Sequence, residues 1–484
     1  MNAANMALPD KNQSNRSQPL RFFHAFQQNI LMKKLSPSVT CGIIEPLSTD
    51  NVLRNEENIV DKNCHTYQAY VGILRRELVP AMGCTEPIAI AYCAAKARAA
   101  LGALPCQITI TASGNIIKNV KSVIVPNTEG RKGIEAAAAI GVLAGDETAG
   151  LEVIAHARPE SRQQLGDYLA NTEITVQAAH SPHVLDITVT VRKDDDQAQV
   201  QVVNQHTNIV RITRNDTVLF EKEIVDAVDT GKPDYDCMTI EDIYDFAMTA
   251  DLADVQDLLD RQIAYNSAIA DEGLKNNYGA NIGQTLLKAY GTDIHIRARA
   301  RAAAGSDARM NGCELPVVIN SGSGNQGMAV SLPVIEYAKE LHSTQEQLYR
   351  ALLLSNLVTL HEKEGIGRLS AYCGAVSAGA GAGAGIAWLC GGDYKAVIHT
   401  IVNALAITSG IICDGAKASC AAKISAAVDA GIMGFEMYRN GQQFYGGDGL
   451  VLKGVENTIR NISRLGRIGM KETDKEIINM MIGQ

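Results

Sequence analysis

The pattern of hydrophobic and polar positions changes twice along the chain. Apolar residues recur at helical spacing across 67–78, and again in an alanine-rich run that starts after Pro87 and ends at Gly102. A proline at the start and a glycine after the end are typical of a helix, because proline suits the first turn and glycine the left-handed position beyond the last. The pattern therefore predicts two consecutive helices, separated by a turn that contains Cys84.

From Cys106 onwards, short runs rich in β-branched residues are separated by turn residues. These runs predict strands at QITITAS, KSVIVP, LEVIAHA, EITVQA, VLDITVTV, AQVQVV, IVRITR and TVLF. Helices are expected at 133–144 and 160–170. Turn residues at 193–196 and 215–216 predict two β-hairpins.

Helical periodicity returns beyond Glu241 and continues to the C-terminus, interrupted by the strand-like PVVIN at 316–320. We therefore predict an α+β fold: a mainly helical catalytic domain, formed by 62–105 and 235–484, is interrupted by a β-rich α+β domain at 106–234. Residues 1–61 are polar, rich in asparagine and aperiodic, which predicts a poorly ordered N-terminal extension.

Composition excludes several classes of protein. Hydrophobic residues make up 46% of the 484 residues and charged residues 20%, as in globular proteins. The net charge of -9 and the absence of a basic tract argue against a nucleic-acid partner. Eleven cysteines without framework spacing, and no apolar signal segment at the start, favour a cytoplasmic protein. The uncharged stretch 369–392 is long enough to span a bilayer, but its glycine and alanine content favours a helix buried in protein, so no membrane partner is expected.

Cys84 is the first candidate for chemistry. It lies in Gly83-Cys84-Thr85-Glu86-Pro87, just before a predicted helix. The backbone N–H groups at a helix N-terminus favour a negative charge, so the thiol pKa is expected to fall and the thiolate to act as a base or nucleophile. The alternative is a small buried residue with no chemical role, which is common for a free cysteine.

Three later cysteines form the second candidate site: Cys373, Cys413 and Cys420. Asp414-Gly415 predicts a turn, with Asp414 capping a new helix from Ala416. A continuous helix would separate Cys413 from Cys420 by ~10 Å, so the turn is needed to fold Cys413 back towards Cys420. Three thiolates suit zinc or an iron–sulfur cluster, and a cubane cluster with three protein ligands keeps one iron open. The alternative is a set of unrelated core cysteines, like Cys93 and Cys390.

A glycine-rich loop follows PVVIN and precedes a helix, and it fits the pattern G-x-G-x-x-G. Because a second helix follows instead of a strand, we prefer binding of a substrate carboxylate to binding of a dinucleotide, although an NAD(P)-dependent oxidoreductase stays a further alternative. The predicted substrate-binding residues are Ser321, Gly322, Ser323, Gly324, Asn325 and Gln326. The segment HEKEG from His361 lacks the zinc motif H-E-x-x-H and predicts a solvated helix end.

Together, GCTEP, NSGSGNQG, AYCGAVSAG and IICDGAK resemble the L-cysteine desulfidase family, which is related to the α-chain of bacterial iron–sulfur L-serine dehydratases. The resemblance covers roughly 62–484, whereas the extension before residue 60 looks unlike the family. It implies a [4Fe–4S] cluster held by Cys373, Cys413 and Cys420, and a proton acceptor at Cys84.

The activity that this resemblance implies is β-elimination of L-cysteine to pyruvate, ammonia and hydrogen sulfide. The residues agree with it, because an open iron can assist the leaving group and a thiolate can take the α-proton. Two alternatives stay open: an L-serine dehydratase-type deaminase, and a non-catalytic sensor of an amino acid or cluster. The expected partner is a small amino acid, and glycine- and alanine-faced helices are compatible with a homo-oligomer.

Overall fold

The computed structural model describes residues 62–224, 234–367 and 369–482. The predicted extension at 1–61 lies outside these residues. The described chain is mostly helical and contains a six-stranded mixed sheet, which confirms the predicted α+β class.

The helices and strands follow in a simple order. The α-helices are α1 His65–Glu77, α2 Thr85–Leu101, α3 Gly114–Val120, α4 Gly133–Ala144, α5 Pro159–Asn171, α6 Ile240–Thr249, α7 Gln256–Lys275, α8 Ile282–Tyr290, α9 Ile294–Met310, α10 Gly324–Glu340, α11 Gln345–Ile366, α12 Gly374–Leu389, α13 Tyr394–Thr408, α14 Cys420–Arg439, α15 Val455–Arg464 and α16 Lys471–Ile482. The strands are β1 Pro80–Met82, β2 Gln107–Ala112, β3 Glu173–Ala178, β4 Asp186–Lys193, β5 Asp196–Val203, β6 Ile209–Arg214, β7 Thr217–Glu221 and β8 Pro316–Val318.

The large sheet has the strand order β3-β2-β4-β5-β6-β7, with only the β2–β3 pair parallel. Alternate residues of β2 are buried, as expected where one face of a sheet is covered. Both predicted hairpins are confirmed, since Lys193 pairs with Asp196 and Arg214 with Thr217.

Helix α2 packs against this sheet and against α4. Its residues from Ile88 to Leu101 share one core with β2, β4 and β5. The division into 62–105, 106–234 and 235–484 stays a prediction. It groups α2 with the helices of 235–484, whereas in the structure α2 packs in the core of the sheet. The sequence does not reveal this packing, because α2 is apolar on nearly every side and its pattern does not show which partner covers it.

A separate core joins α1 with the helices from α6 onwards, except α8 and α16. Within it, α12 and α14 meet at glycines: a Cβ on Gly379 would lie 2.2 Å from the Ala427 carbonyl oxygen, and one on Gly431 would lie 2.2 Å from the Gly379 oxygen. Only glycine allows this approach. The packing therefore fixes the relative positions of Cys373 and Cys420, which stand at the N-terminal ends of these two helices.

The short strands β1 and β8 link the GCTEP turn to the glycine-rich loop. Pro80 pairs with Val318 and Met82 with Pro316, in antiparallel register. Cys84 follows β1 directly and the loop 321–327 follows β8, so this pairing brings two distant parts of the sequence side by side.

Two of the predicted strands are wrong. KSVIVP has only isolated bridges at Ile124, and LEVIAHA forms a 3-10 turn followed by further turns. Their apolar residues, such as Val123 and Ile154, are nevertheless buried. Burial alone produced the β-like pattern, because a short apolar run can fill a core without joining a sheet.

The uncharged stretch 369–392 contains α12, whose residues from Ala375 to Ala387 are buried among other helices, as predicted. In the described ranges, no helix combines the length and the apolar character that a bilayer-spanning helix needs.

Candidate active site

A cleft of about 750 Å³, partly open to solvent, lies where four helices begin. Cys84 precedes α2, Ser323 precedes α10, Cys373 precedes α12, and Cys420 is the first residue of α14. All four residues line the cleft. Because the N-terminus of a helix carries a partial positive charge, four such ends favour anions in this cleft.

Cys373 and Cys413 lie on two extended segments that pair with each other. The N–H of Cys373 donates to the carbonyl of Ile411, and the N–H of Cys413 donates to the carbonyl of Ala371 (2.6 Å). Tyr372 and Ile412 form the antiparallel bridge between them. This pairing, which the sequence did not reveal, brings Cys413 into the cleft that Cys373 lines.

Cys420 comes back towards the same place through a compact loop. Its Sγ lies 3.7 Å from the Gly415 carbonyl oxygen, and it packs near Cys84 in a small apolar cluster with Val123 and Met310. The predicted helix start at Ala416 is wrong, because α14 begins at Cys420.

Asp414 does not cap that helix. Its carboxylate pairs with the ammonium groups of Lys417 and Lys423, and Lys423 also donates to the Ile412 carbonyl at 2.8 Å. Despite partial burial, the two lysines hold the pKa of Asp414 below its usual range. This ion-paired clamp fixes the loop between Cys413 and Cys420.

The three cysteines are not arranged around a single ion. Among the described residues, the ligand atoms that lie within 4.8 Å of one another belong to His65, Asp234 and Cys237, which do not line the cleft. Thiolates on one zinc, at ~2.3 Å each, must lie within about 4 Å of one another. Thiolates that bind different irons of a cluster stand further apart, and three thiolates are donors of the type that such a cluster takes.

The thiols of this set influence one another. Burial and the nearby Cys413 sulfur raise the pKa of Cys373 to about 12, and Cys420 adds to the effect. Burial also raises the pKa of Cys420, which Lys423 and Lys417 partly oppose. A metal group bound by these thiols would therefore have to displace protons from buried sulfurs, next to two lysines that favour the thiolates.

The predicted fall in the pKa of Cys84 is contradicted. Burial, and then the carboxylate of Glu86, raise the pKa of the Cys84 thiol well above its usual range. Its Sγ–H donates to Glu86 Oε2 at 3.0 Å. Burial favours a neutral Glu86, but His206, the Cys84 hydrogen bond and Arg309 together hold the pKa of Glu86 below its usual value. At this helix N-terminus, the negative charge therefore lies on the Glu86 carboxylate, and Cys84 stays a neutral thiol.

The glycine-rich loop contributes part of its predicted set. Ser323, Asn325 and Gln326 line the cleft, whereas Ser321, Gly322 and Gly324 do not. Gly322 instead accepts a hydrogen bond from Thr85 Oγ1 through its carbonyl oxygen (2.9 Å), which ties this loop to the GCTEP turn. The helix α10 starts at Gly324, at the first glycine after the turn, and is followed by α11 without an intervening strand.

Several residues of the cleft escaped the sequence analysis. Glu86 and Asn119 bond to each other at 3.0 Å, Lys118 pairs with Asp474, and Arg309 lies at the end of α9. Of these residues, only Glu86 could have been found from the sequence, because it lies inside the GCTEP motif. The other three come from helices without a motif and reach the cleft only through tertiary packing.

HEKEG is not a solvated helix end. Glu362 and Lys363 are buried inside α11, which continues to Ile366, and Lys363 lines the cleft. His361 lies with its Nε2 2.9 Å from Glu456 Oε2. The prediction failed because charged residues usually indicate solvent, whereas here α11 is surrounded by α12 and α15.

Comparison with known proteins identifies relatives for most of the chain. A family model described as "Serine dehydratase alpha chain" matches residues 148–479, which include the glycine-rich loop and the three late cysteines. A UPF0597 protein of Desulfitobacterium hafniense is 59% identical over 418 residues, which cover 86% of this chain and 97% of the relative. UPF0597 proteins of Lachnoclostridium phytofermentans and Treponema denticola are 50% and 46% identical, over 86% and 87% of this chain and 100% and 99% of the relatives.

Proposed function

Because this chain belongs to the serine dehydratase alpha chain family, and its motifs resemble those of iron–sulfur enzymes, we propose that it is a lyase that removes a β-substituent from a small amino acid. The proposed reaction converts L-cysteine and water into pyruvate, ammonia and hydrogen sulfide. The observation that carries the proposal is the convergence of Cys84, Cys373, Cys413 and Cys420 on one cleft.

Proton removal is assigned to Cys84. Glu86 accepts the hydrogen bond of the resting thiol and so orients its Sγ, and the reactive thiolate forms when the thiol loses its proton to the water of the cleft. The thiolate then takes the α-proton of the substrate, the Cβ–S bond breaks, and the sulfur leaves as hydrosulfide. The aminoacrylate that remains changes to its imine and is hydrolysed to pyruvate and ammonia, which completes the balance with one water.

Cys373, Cys413 and Cys420 are the proposed ligands of a [4Fe–4S] cluster. When bound, a cluster with one open iron supplies Lewis acidity for the leaving group. The chain's own part is to hold these thiols by the 371–373 and 411–413 pairing and by the clamp at Asp414. The helix N-termini before Gly374 and at Cys420 favour the negative charge of the thiolates.

Ser323, Asn325 and Gln326 are the proposed substrate-binding residues of the glycine-rich loop. Gln326 lies against the start of α12, since a Cβ on Gly374 would come within 2.6 Å of its side chain. The loop is therefore in contact with the segment that carries Cys373, so a substrate bound by the loop would lie beside the proposed cluster.

The test is an anaerobic purification followed by iron and sulfide quantification, and by pyruvate, ammonia and sulfide assays with L-cysteine. Cys84→Ser is expected to keep the brown colour and to lose at least ~100-fold in turnover, as for loss of a general base. A protein that holds a cluster but yields no pyruvate would favour the sensor, and tight NADH binding without iron would favour the oxidoreductase.

L-Serine dehydration is the second candidate, and the description of the matching family favours it. Both substrates share the carboxylate, the ammonium group and the α-proton, and differ only in the leaving atom. The ratio of kcat/KM for L-cysteine and L-serine, measured on the same anaerobic sample, decides between them.

A further inference from the structure

Arg309 is a buried cation whose guanidinium lies in the candidate site. It is the penultimate residue of α9, is only 2% exposed, and lines the cleft with Cys84, Ser323 and Gln326. In the part of the chain that the structure describes, its Nε and Nη2 have no hydrogen-bond partner. A buried charge without a partner is costly, so an unmet guanidinium indicates a ligand that is anionic.

Two further cations of the cleft have carboxylate partners of their own. Lys118 is paired with Asp474, and Lys423 with Asp414. Glu86 is close enough to Arg309 for the arginine to lower its pKa, but the oxygens of Glu86 accept hydrogen bonds from Cys84 and Asn119. Glu86 thus acts on Arg309 through its charge, while Nε and Nη2 of the guanidinium have no hydrogen bond to it or to any other described residue.

The position of Arg309 strengthens this argument. A Cβ on Gly324 would lie 2.4 Å from Arg309 Nε and 2.8 Å from Cζ, so the guanidinium rests against the first residue of α10. This is the positive end of that helix. A second positive group beside the guanidinium adds to the cost of leaving it without a hydrogen-bonded anion. The planar guanidinium fork and the N–H groups of a helix start both match a carboxylate.

Two hydrogen-bond acceptors in the same cleft fit the ammonium group of an amino acid. Asn325 Oδ1 and Gln326 Oε1 are buried and have no hydrogen-bond donor among the described residues. Both side chains line the cleft. A ligand that carries a carboxylate and, one carbon away, an ammonium group would satisfy the guanidinium and these oxygens together.

We propose that Arg309 binds the α-carboxylate of the substrate, with the amide oxygens of Asn325 and Gln326 accepting from its α-ammonium group. The proposal rests on the proposed function for the class of ligand, a small L-α-amino acid. It makes Arg309 a determinant of specificity, because an amino acid amide would leave the guanidinium without its anion.

The test is calorimetric binding of L-alanine, which lacks a leaving group, to the anaerobically purified full chain. We expect the wild type to bind L-alanine about 10- to 100-fold more tightly than L-alaninamide or propionate, as for a lost charged hydrogen bond. Arg309→Gln is expected to weaken the binding of L-alanine by a similar factor, while its affinity for L-alaninamide changes little. Arg309→Lys keeps the charge but not the planar guanidinium. Its affinity for L-alanine is expected to lie between those of the wild type and of Arg309→Gln.

The matched control is Arg297→Gln, in the same helix, whose guanidinium pairs with Glu340. It is expected to bind L-alanine like the wild type. If Arg309→Gln fails to fold, the wild-type preference for L-alanine over its amide and the intermediate affinity of Arg309→Lys carry the test. Equal wild-type affinity for acid and amide, or unchanged L-alanine binding in Arg309→Gln or Arg309→Lys, would overturn the proposal.

Turnover separates this proposal from the proposed function. Arg309-dependent binding of L-alanine by a protein that produces no pyruvate would support the carboxylate site and contradict the proposed lyase activity. Pyruvate formation whose KM for L-cysteine is unchanged in Arg309→Gln supports the lyase and overturns the role of Arg309. If Arg309 served only to support Cys84 and Glu86, its substitution would change kcat and leave the preference for acid over amide intact, which also overturns the proposal.

Discussion

The Sγ atom of Cys84 lies 3.0 Å from Oε2 of Glu86, two residues further along the chain, and donates its hydrogen to that carboxylate. Asn119 Nδ2 also donates to Glu86, at 3.0 Å, whereas the one hydroxyl hydrogen of Thr85 goes to the Gly322 carbonyl oxygen at 2.9 Å. The carboxylate is therefore held by two donors, Cys84 and Asn119, and the thiol is oriented by a charge that opposes its own ionisation.

The first prediction concerns this pair. Burial and the charge of Glu86 raise the pKa of Cys84, so the thiolate forms only as the pH rises through that raised value. Glu86→Gln removes the negative charge and keeps the shape, so the pKa of Cys84 is expected to fall and the thiolate to appear at lower pH. The measurement is the ultraviolet thiolate absorbance during a pH titration of the cluster-free protein, with Cys84→Ser as the blank. A titration that moves to higher pH would contradict the pairing.

The second prediction concerns the cluster ligands. Cys373→Ser, Cys413→Ser and Cys420→Ser are each expected to abolish the brown absorbance and the activity together, because a serine hydroxyl does not replace a thiolate on iron. Cys390 is the matched control: it is half-buried and lies just after the other end of α12, the helix that Cys373 precedes. Cys390→Ser is expected to keep both properties. A cluster that survives all three substitutions would refute the ligand assignment.

Much of this site could be predicted from the sequence because its motifs carry local signals. Cys84 precedes a helix that Gly102 caps, and Cys373 precedes the glycine- and alanine-rich helix, as the structure has them. The two hairpins followed from turn residues alone. Each of these features depends on neighbours within a few residues, which a single sequence contains.

The remaining features depend on tertiary partners. Arg309 and Lys118 belong to helices without a motif, and their places in the cleft follow from the packing of α9 and α3. The raised pKa of Cys84 required the position of the Glu86 side chain and the depth of burial, neither of which a helix N-terminus specifies. Asp414 was predicted to be a cap because Lys423, which lies nine residues later, is not recognisable as its partner from the sequence.

The third prediction concerns the clamp around the cluster loop. Lys423 bonds to Asp414 and to the Ile412 carbonyl, and its charge favours thiolates at Cys373 and Cys420. Lys423→Met is expected to accelerate loss of the cluster to a chelator by ~10–100-fold, the range typical of residues that support metal ligands. The decay of the brown absorbance under anaerobic chelation measures it. The exposed Lys395, changed to methionine, is the control, and equal decay in the two variants would contradict the assigned role.

The last prediction tests whether helix packing sets the spacing of the cysteines. Gly431 in α14 lies against the backbone of α12, and an added Cβ would stand 2.2 Å from the Gly379 carbonyl oxygen. Gly431→Ala must push the two helices apart, and we expect a loss of about 1–3 kcal/mol in the free energy of unfolding. Because Cys373 and Cys420 stand at the starts of these helices, the same change is expected to speed loss of the cluster. Gly410→Ala is the matched control, since no atom lies within 4 Å of its Cβ position. Chemical denaturation and the chelation assay measure the two effects separately. A destabilised Gly431→Ala protein that keeps its cluster as long as the wild type would show that the loops at 371–373 and 411–420, and not the helices, hold the three thiols in place.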